Sequence, residues 1–300
     1  MTQWLLAGAS GFLGTALRVQ LATDGDEVVR LVRREPAAAA EHRWDPDAGE
    51  LDPALLDGVD AVVNLGGVGV FNGRWTERRR KAILSSRLSV TSTLARALAA
   101  RGADAPVLIS ASGIARYGVR STDDPYTEDS PAADDFLAQV TVSWEEATAP
   151  ASRAGCRVVL LRTSPVLDAG GGPFLPMRLA WSLGLGATLG DGSQRMPLIS
   201  LADWLGVVRW AAETPHAAGP YNLTIPEPTT NAAFTDTLAR QLHRPRLLRA
   251  PAPVIRAALG ELSGQLLGDM HVVPQRLVGD GYAFSAPDVS STVASALHRD

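Results

Sequence analysis

The sequence contains almost no lysine or cysteine. Lys81 is the only lysine among 28 basic residues, so the other 27 are arginine. Cys156 is the single cysteine, which excludes an internal disulfide. No group of cysteines and histidines has the spacing of metal ligands, and the 5 histidines are scattered along the chain. We therefore expect a reducing compartment, no structural zinc and no metal site.

Long apolar runs and broad basic tracts are also absent. No run approaches the roughly 18 residues that a membrane-spanning helix needs, and the N-terminus lacks the basic segment of a secretory signal peptide. The net charge is −4, and the longest basic run is Arg78-Arg79-Arg80-Lys81. Such a run is typical of a solvent-exposed helix face, whereas a nucleic-acid interface needs a wider positive surface. We expect a cytoplasmic protein that binds neither membrane nor nucleic acid.

Three glycines near the N-terminus form the most informative motif. The apolar run Leu5-Leu6-Ala7 leads into Gly8, Gly11 and Gly14, and leucines at every fourth position follow. This order predicts a strand, a tight turn and an amphipathic helix. Glycines let a pyrophosphate approach the main chain, and the helix N-terminus faces its negative charge. The stretch therefore predicts a dinucleotide site, although a plain turn into a core helix has the same spacing.

The predicted second strand, residues 27–32, ends in Arg33 and Arg34. A site for NAD usually has an acidic residue there that binds the ribose, whereas arginine side chains bind the 2′-phosphate of NADP. We therefore predict a preference for NADP(H). Two alternatives stay open: the arginines are ordinary surface residues, or Glu35 contacts the ribose.

Strand and helix patterns alternate along the first half of the chain. Further strands are predicted at 42–46, at 60–67 where the strand runs into a glycine-rich loop, at 107–112 and at 157–162, and helices at 76–102 and 136–154. Apolar strands joined by crossover helices are typical of the α/β class, with a Rossmann-type, doubly wound parallel sheet. A chain of 300 residues with 46% hydrophobic residues is long enough for such a domain and a smaller partner.

The composition changes after Thr163. Glycine- and proline-rich segments at 170–173 and 184–186 follow at the ligand edge of the predicted sheet, where such loops commonly cover a substrate. We expect a Rossmann domain at residues 1–165 and a smaller cap or substrate region with a C-terminal domain at 166–300. Residues of about 195–225 are expected to return to the Rossmann sheet.

Motifs spread over nearly the whole chain are similar to those of one protein group. They are the glycine turn, Asn64-Leu65-Gly66-Gly67, Ser110-Ala111-Ser112, Tyr117-Gly118, Trp144-Glu145 and Gly281-Tyr282-Ala283-Phe284. With these residues the chain resembles the extended short-chain dehydrogenase/reductases. More narrowly, it resembles their atypical group of NAD-dependent epimerase/dehydratase-like proteins with a C-terminal domain of unknown function.

The resemblance implies NADP(H) as the cofactor and a set of residues that bind it. It places Gly8, Ser10, Gly11, Phe12, Leu13 and Gly14 around the pyrophosphate, Arg33 and Arg34 at the 2′-phosphate, Asn64, Leu65 and Gly66 along the adenosine and ribose, and Ser110, Ala111, Thr163, Ser164 and Val166 around the nicotinamide. Arg87 stands where typical extended members carry a helix asparagine, and we count it with the cofactor residues.

The catalytic motif of the superfamily, Y-x-x-x-K, is missing. No tyrosine is followed four residues later by lysine, and the usual pair would fall near Leu137 and Thr141. Ser112 matches the family serine that hydrogen-bonds the reacting oxygen, or it caps the end of a strand. Tyr117 is the candidate for proton transfer, or it forms an aromatic wall of the pocket.

Two functions stay open at this point. Ser112 and the long loops after Thr163 favour an NADP(H)-dependent oxidoreductase or epimerase-like enzyme that acts on a small polar substrate. The missing tyrosine-lysine pair favours a catalytically degenerate, cofactor-bound sensor or binding protein. A further departure from the group lies at Leu198 and Ser200, where tryptophan and histidine tend to precede an aspartate, here Asp203.

Overall fold

In the computed structural model, seven parallel strands form the central sheet. The structure describes residues 1–71, 73–119, 123–246 and 248–297. From one edge to the other the strands are β10 (Gly219–Leu223), β6 (Val158–Thr163), β5 (Val107–Gly113), β4 (Ala61–Asn64), β1 (Gln3–Ala7), β2 (Glu27–Val32) and β3 (Glu41–Arg43). Every neighbouring pair is parallel, and the strand order reverses between β1 and β4. The Rossmann-type α/β fold is confirmed.

Helices cover both faces of the sheet. One face carries α1 (Phe12–Thr23) and α6 (Leu201–Glu213), and the other carries α2 (Glu77–Ala99), α3 (Phe136–Glu146) and α4 (Ala149–Arg153). The other described helices are α5 (Phe174–Ser182), α7 (Asn231–Gln241), α8 (Ala252–Leu259), α9 (Leu262–Leu267), α10 (Gln275–Gly279) and α11 (Val289–Leu297).

Alternating residues of the strands build two cores. On the first face, Leu6 of β1 packs with Leu17 of α1 and Trp204 of α6. On the second face, Leu5 packs with Leu94 of α2. All five side chains are buried, as expected for strands whose two faces are both covered.

Two predicted elements differ from the structure for a clear local reason. The strand predicted at 42–46 is β3, which ends at Arg43 because Asp45 accepts hydrogen bonds from two following amides and turns the chain. The helix predicted at 136–154 is two helices, α3 and α4. Pro150 lacks the amide hydrogen that would continue the ladder, so it lies in the first turn of a new helix.

The segment after β6 adds two small parallel sheets and then rejoins the main one. The pair β7 (Val166–Leu167) with β9 (Ile199–Ser200) forms one, and β8 (Ala187–Leu189) with β11 (Leu248–Ala250) forms the other. In sequence, α6 and β10 lie between β9 and β11, and they return to the main sheet, where β10 pairs with β6. The domain boundary between residues 165 and 166 stays a prediction. None of the described helices is long and apolar enough to cross a membrane.

Asp203 ties the C-terminal segment to α6. Its carboxylate accepts hydrogen bonds from the Ser200 hydroxyl at 2.8 Å, the Ser285 amide at 2.7 Å and the Ala286 amide at 3.0 Å. Ser200 also caps the N-terminus of α6 through the Asp203 amide. The position at which Ser200 departs from the group is therefore a helix cap in this chain.

Candidate functional site

The glycine turn lies between β1 and α1, beside the point where the strand order reverses. Gly8 has φ of +84°, a left-handed conformation that favours glycine. A Cβ on Gly8 would stand 2.7 Å from the carbonyl carbon of Leu65, and one on Gly14 would stand 2.3 Å from the Gly8 oxygen. A Cβ on Gly11 would have that same oxygen as its nearest neighbour, at 3.6 Å. Packing within the protein therefore requires the outer two glycines, whereas Gly11 borders open space.

The N-terminus of α1 has free amide groups at this turn. Of the five described helices with eleven or more residues, four begin at a side-chain cap. α1 begins at Gly11 without one, and the amides of Phe12, Leu13 and Gly14 donate to no acceptor in the described chain. Ser10 is exposed beside them. Free amides at the positive end of a helix dipole bind phosphate oxygens.

The loop that follows β7 packs on the first residue of α1. A Cβ on Gly171 would stand 2.4 Å from the Phe12 ring, and one on Gly172 would stand 2.7 Å from it. The glycine-rich segment at 170–173 therefore lies directly against the first residue of the helix. Its role as part of a cap stays a prediction.

Asn64 ends β4 and lies beside Ser110 in the middle of β5, and both residues are buried. The Asn64 amide donates to Ser110 Oγ at 3.1 Å and to Thr91 Oγ1 of α2 at 2.8 Å. Asn64 Oδ1 accepts from the Gly66 amide at 3.1 Å. These bonds fix the loop after β4, so that the backbone of Leu65 faces the glycine turn.

Arg33 and Arg34 differ in how closely carboxylates of the protein pair with their guanidinium groups. Arg34 forms a bidentate ion pair with Glu41 of β3, at 2.8 and 2.7 Å. The hydrogen bond from Arg34, helped by a backbone amide, lowers the pKa of Glu41 to about 2. Arg33 is about as exposed as Arg34, and it has one described carboxylate within ion-pair distance, that of the exposed Asp47, at 3.8 Å. Arg33 is therefore the guanidinium that is freer to bind a ligand.

Ser112 belongs to a buried ion-pair network. Its Oγ donates to Oε1 of Glu145 at 2.6 Å. Nε and Nη2 of Arg162 donate to the two oxygens of the same carboxylate, at 2.8 and 2.9 Å, and the side chains of Glu145 and Arg162 are only 9% and 4% exposed. Burial lowers the pKa of Arg162, but the hydrogen bond and charge of Glu145 outweigh it, so that the pKa is raised overall.

Tyr117 joins the same network and is fully buried. Its hydroxyl donates to Oδ1 of Asn222 at 2.7 Å and accepts from Nη1 of Arg162 at 2.8 Å. Burial raises the pKa of Tyr117, although the Arg162 charge acts in the opposite direction. Protein groups thus occupy both the donor and the acceptor side of this hydroxyl. The geometry supports a structural role, and the catalytic roles of Tyr117 and Ser112 stay predictions.

The other residues that the resemblance assigns to the nicotinamide lie at the ends of β5 and β6 and in β7. Because the strands are parallel, these ends share an edge with the glycine turn. Ala111 is partly buried, and Val166 is buried in β7. Thr163 Oγ1 accepts from Trp204 Nε1 at 3.3 Å, and the Ser164 hydroxyl donates to the Leu223 carbonyl at 2.6 Å.

Arg87 lies in α2 and is buried beneath the loop that follows β4. Its Nη1 donates to the carbonyls of Val68 at 3.0 Å and Ile83 at 2.9 Å.

No group of three or more histidine, cysteine, aspartate or glutamate side chains in the described residues is arranged to hold a metal ion. Glu145 and Arg162 are two of the described charged groups at this edge that sequence reasoning did not assign.

Comparison with known proteins gives the family. Residues 4–224 match the NAD dependent epimerase/dehydratase family, and residues 250–296 match a domain of unknown function, DUF1731. An epimerase family protein of Mycobacterium bovis is 41% identical over 295 residues, which are 98% of this chain and 97% of that protein. The epimerase family protein SDR39U1 of Homo sapiens is 36% identical and covers 96% of this chain and 97% of its own.

Solved structures show the same architecture. The crystal structure of human SDR39U1 (isoform 2) with NADPH is similar to this chain with a TM-score of 0.88 at 32% identity, over 98% of this chain and 99% of that one. MoeE5 in complex with UDP-glucose and NAD shares the fold, with a TM-score of 0.75 at 20% identity over 99% of this chain and 97% of that one. Together with the family match over most of the sequence, these likenesses confirm the resemblance seen in the motifs: the chain belongs to the NAD dependent epimerase/dehydratase family.

Proposed function

We propose that this protein binds NADP(H) across the carboxyl edge of its sheet and is an oxidoreductase or epimerase-like enzyme for a small polar substrate. The observation that carries the proposal is the uncapped N-terminus of α1 at Gly11, where a Cβ would have one ordinary contact, with the Gly8 oxygen at 3.6 Å. The NADPH in the human SDR39U1 structure supports the choice of cofactor. When bound, the nicotinamide supplies hydride transfer.

Three parts of the chain would hold the cofactor. The free amides from Phe12 to Gly14 would bind the pyrophosphate. Arg33 would bind the 2′-phosphate, and Arg34, which is paired with Glu41, would add a weaker contribution. The loop from Asn64 to Gly66, residues 110–111 of β5 and residues 163–166 from the end of β6 to the start of β7 would line the rest of the crevice.

Arg33→Gln is expected to weaken NADPH binding about tenfold or more and to leave NADH binding nearly unchanged. A charge-assisted hydrogen bond to phosphate contributes about 1.5–3 kcal/mol. NADH has no 2′-phosphate, so its binding does not depend on this bond. Titration of each cofactor by fluorescence measures both affinities. Adding Arg34→Gln to Arg33→Gln should reduce NADPH affinity further without affecting NADH.

Arg153→Gln is the matched control for this test. Arg153 is an exposed arginine at the end of α4, before β6, and so lies at the amino edge of the sheet, away from the crevice. Its replacement should leave both affinities unchanged. Equal loss of NADPH and NADH binding in Arg33→Gln, or a preference of the unmodified protein for NADH, contradicts the assignment.

A second function, that of a cofactor-bound sensor or binding protein, is favoured by one specific observation. The hydroxyls of Ser112 and Tyr117 are both bonded to buried protein partners. For Tyr117 to donate a proton, its hydroxyl must exchange Asn222 for a substrate oxygen. Because its pKa is raised, Tyr117 stays protonated at neutral pH, so it would serve carbonyl reduction better than alcohol oxidation.

Tyr117→Phe separates a structural hydroxyl from a catalytic one. We expect the free energy of unfolding to fall by about 1–3 kcal/mol, because Arg162 and Asn222 lose a buried partner. NADPH affinity and kcat below the unfolding temperature should stay nearly unchanged. A drop in kcat of about 10²–10⁴-fold at unchanged stability would instead identify Tyr117 as the proton donor.

Two measurements on the unmodified protein distinguish the two functions. Mass spectrometry of the purified native protein identifies copurifying molecules, and loss of NADPH absorbance is followed with a panel of aldehydes, ketones and sugar nucleotides. Turnover of any panel member supports the enzyme. Tight NADPH binding without turnover supports the binding protein, and absence of NADP(H) binding contradicts both.

A further inference from the structure

Two arginine residues of the described chain are buried, and their guanidinium groups are bonded very differently. Arg162 donates from Nε, Nη1 and Nη2, and its Nε and Nη2 hold the Glu145 carboxylate. Arg87 donates only from Nη1, to two backbone carbonyls. A guanidinium has five N–H donors, so the edge formed by Nε and Nη2 of Arg87 has no acceptor among the described residues.

The charge of Arg87 also has no counter-charge in the described chain. Its pKa is lowered to about 10 by burial, and no carboxylate acts against this effect. The side chain therefore stays cationic at neutral pH. Burying an unmatched charge is costly, and a negatively charged ligand would offset that cost.

The Arg87 guanidinium lies between the loop after β4 and α3, and Nε and Nη2 are not among the described buried polar atoms that lack a hydrogen-bond partner, so solvent reaches this edge. A Cβ on Gly67, in the loop after β4, would stand 3.4 Å from Nη1 of Arg87. The guanidinium carbon lies 4.8 Å from the ring centroid of Trp144 in α3. Trp144 follows Thr141 by one helical turn, and Thr141 is where the lysine of the missing motif would stand. The Arg87 guanidinium, on α2, therefore lies near the face of α3 on which the lysine of the motif is missing.

We propose that Arg87 binds an anionic group of the substrate, a carboxylate or a phosphate. This inference rests on the proposed function, because it takes the cofactor phosphates to be matched already by the α1 amides and Arg33. The same Nε and Nη2 edge binds a carboxylate in Arg162 of this molecule. A planar guanidinium binds two oxygens of either group side by side, so the substrate class is a small carboxylate or phosphate ester.

Inorganic phosphate and malonate are the probes, titrated calorimetrically into protein saturated with NADPH. Saturation with NADPH keeps the probes out of the cofactor phosphate sites, and potassium chloride holds the ionic strength constant. We expect saturable binding of at least one probe. Tighter phosphate binding indicates a phosphate ester as substrate, and tighter malonate binding indicates a carboxylate.

Arg87→Gln is expected to weaken binding of that probe about tenfold or more while NADPH affinity is retained. Arg87→Lys should give an intermediate affinity, because lysine keeps the charge and loses the planar fork. Arg78→Gln is the matched control, since Arg78 is an exposed residue of the same helix. Its probe affinity should equal that of the unmodified protein.

The outcomes separate this inference from the cofactor proposal. Protein that binds NADPH but neither probe, or Arg87→Gln that binds the probe normally, overturns the inference and leaves the cofactor proposal intact. A folded Arg87→Gln that loses NADPH shows that the guanidinium serves the cofactor, which also overturns it. Unmodified protein that fails to bind NADPH overturns both proposals. If circular dichroism shows Arg87→Gln unfolded, unchanged probe affinity in Arg87→Lys overturns the inference.

Discussion

Glu145→Gln is expected to lower the free energy of unfolding by about 3–5 kcal/mol, the usual cost of removing one partner from a buried ion pair. The substitution leaves the Arg162 guanidinium buried without a matching charge. Arg116, whose Nη1 lies 3.4 Å from the same carboxylate, loses its partner as well. Urea unfolding of the cofactor-free protein, followed by circular dichroism, measures the change.

Glu77→Gln is the matched control for this substitution. Glu77 pairs with Lys81 at 3.0 Å, but the two side chains are 83% and 77% exposed. An exposed pair of this kind contributes little, so the expected change is about 0.5 kcal/mol or less. A similarly small change in Glu145→Gln would show that the network is dispensable for folding. The buried charge of Glu145 would then be better explained by a role in catalysis through its hydrogen bond with Ser112.

The partners of the two catalytic candidates, Ser112 and Tyr117, could not be predicted from the sequence. The network joins Ser112 to Glu145, Glu145 to Arg162, and Tyr117 to Asn222, across 33, 17 and 105 residues of sequence. No local pattern reports contacts over such separations. Ser112 and Arg162 become neighbours only through the register of β5 and β6.

The two arginines proposed for the 2′-phosphate also have partners that the sequence does not predict. From the sequence alone Arg33 and Arg34 are equivalent, because both are basic residues at the end of a predicted strand. Glu41 distinguishes them, because the pairing of β2 with β3 brings its carboxylate to Arg34. Arg34 therefore has a carboxylate partner before any ligand binds, one that it shares with Arg30. This pairing could not be predicted from the order of the residues.

The glycine turn was predictable because its determinants are close together in sequence. Gly8, Gly11 and Gly14 act through backbone conformation and short contacts within β1, the turn and α1. The structure adds what spacing alone does not show: packing within the protein requires glycine at positions 8 and 14, whereas position 11 has room for a methyl group. A pair of alanine substitutions can therefore separate folding from cofactor binding.

Gly14→Ala and Gly11→Ala are both expected to weaken NADPH binding, but only Gly14→Ala is expected to destabilise the cofactor-free protein substantially. The new methyl group of Gly14→Ala would stand 2.3 Å from the Gly8 carbonyl oxygen and 2.8 Å from the Ala9 Cα, both backbone atoms. The helix must move away from β1, so the free energy of unfolding should fall by about 1–3 kcal/mol or more. NADPH affinity then falls as a consequence of the altered turn.

Gly11→Ala should leave the cofactor-free protein folded and reduce NADPH affinity about tenfold or more. Gly11 has φ of −73°, which alanine adopts without strain, and its nearest Cβ contact is an ordinary 3.6 Å, so the stability cost should not exceed about 1 kcal/mol. The methyl group would occupy the space through which a pyrophosphate approaches the free amides of α1. Urea unfolding without cofactor and fluorescence titration with NADPH measure the two effects separately. Normal NADPH affinity in Gly11→Ala would mean that the pyrophosphate does not approach this turn, and the cofactor would have to be placed elsewhere along the edge of the sheet.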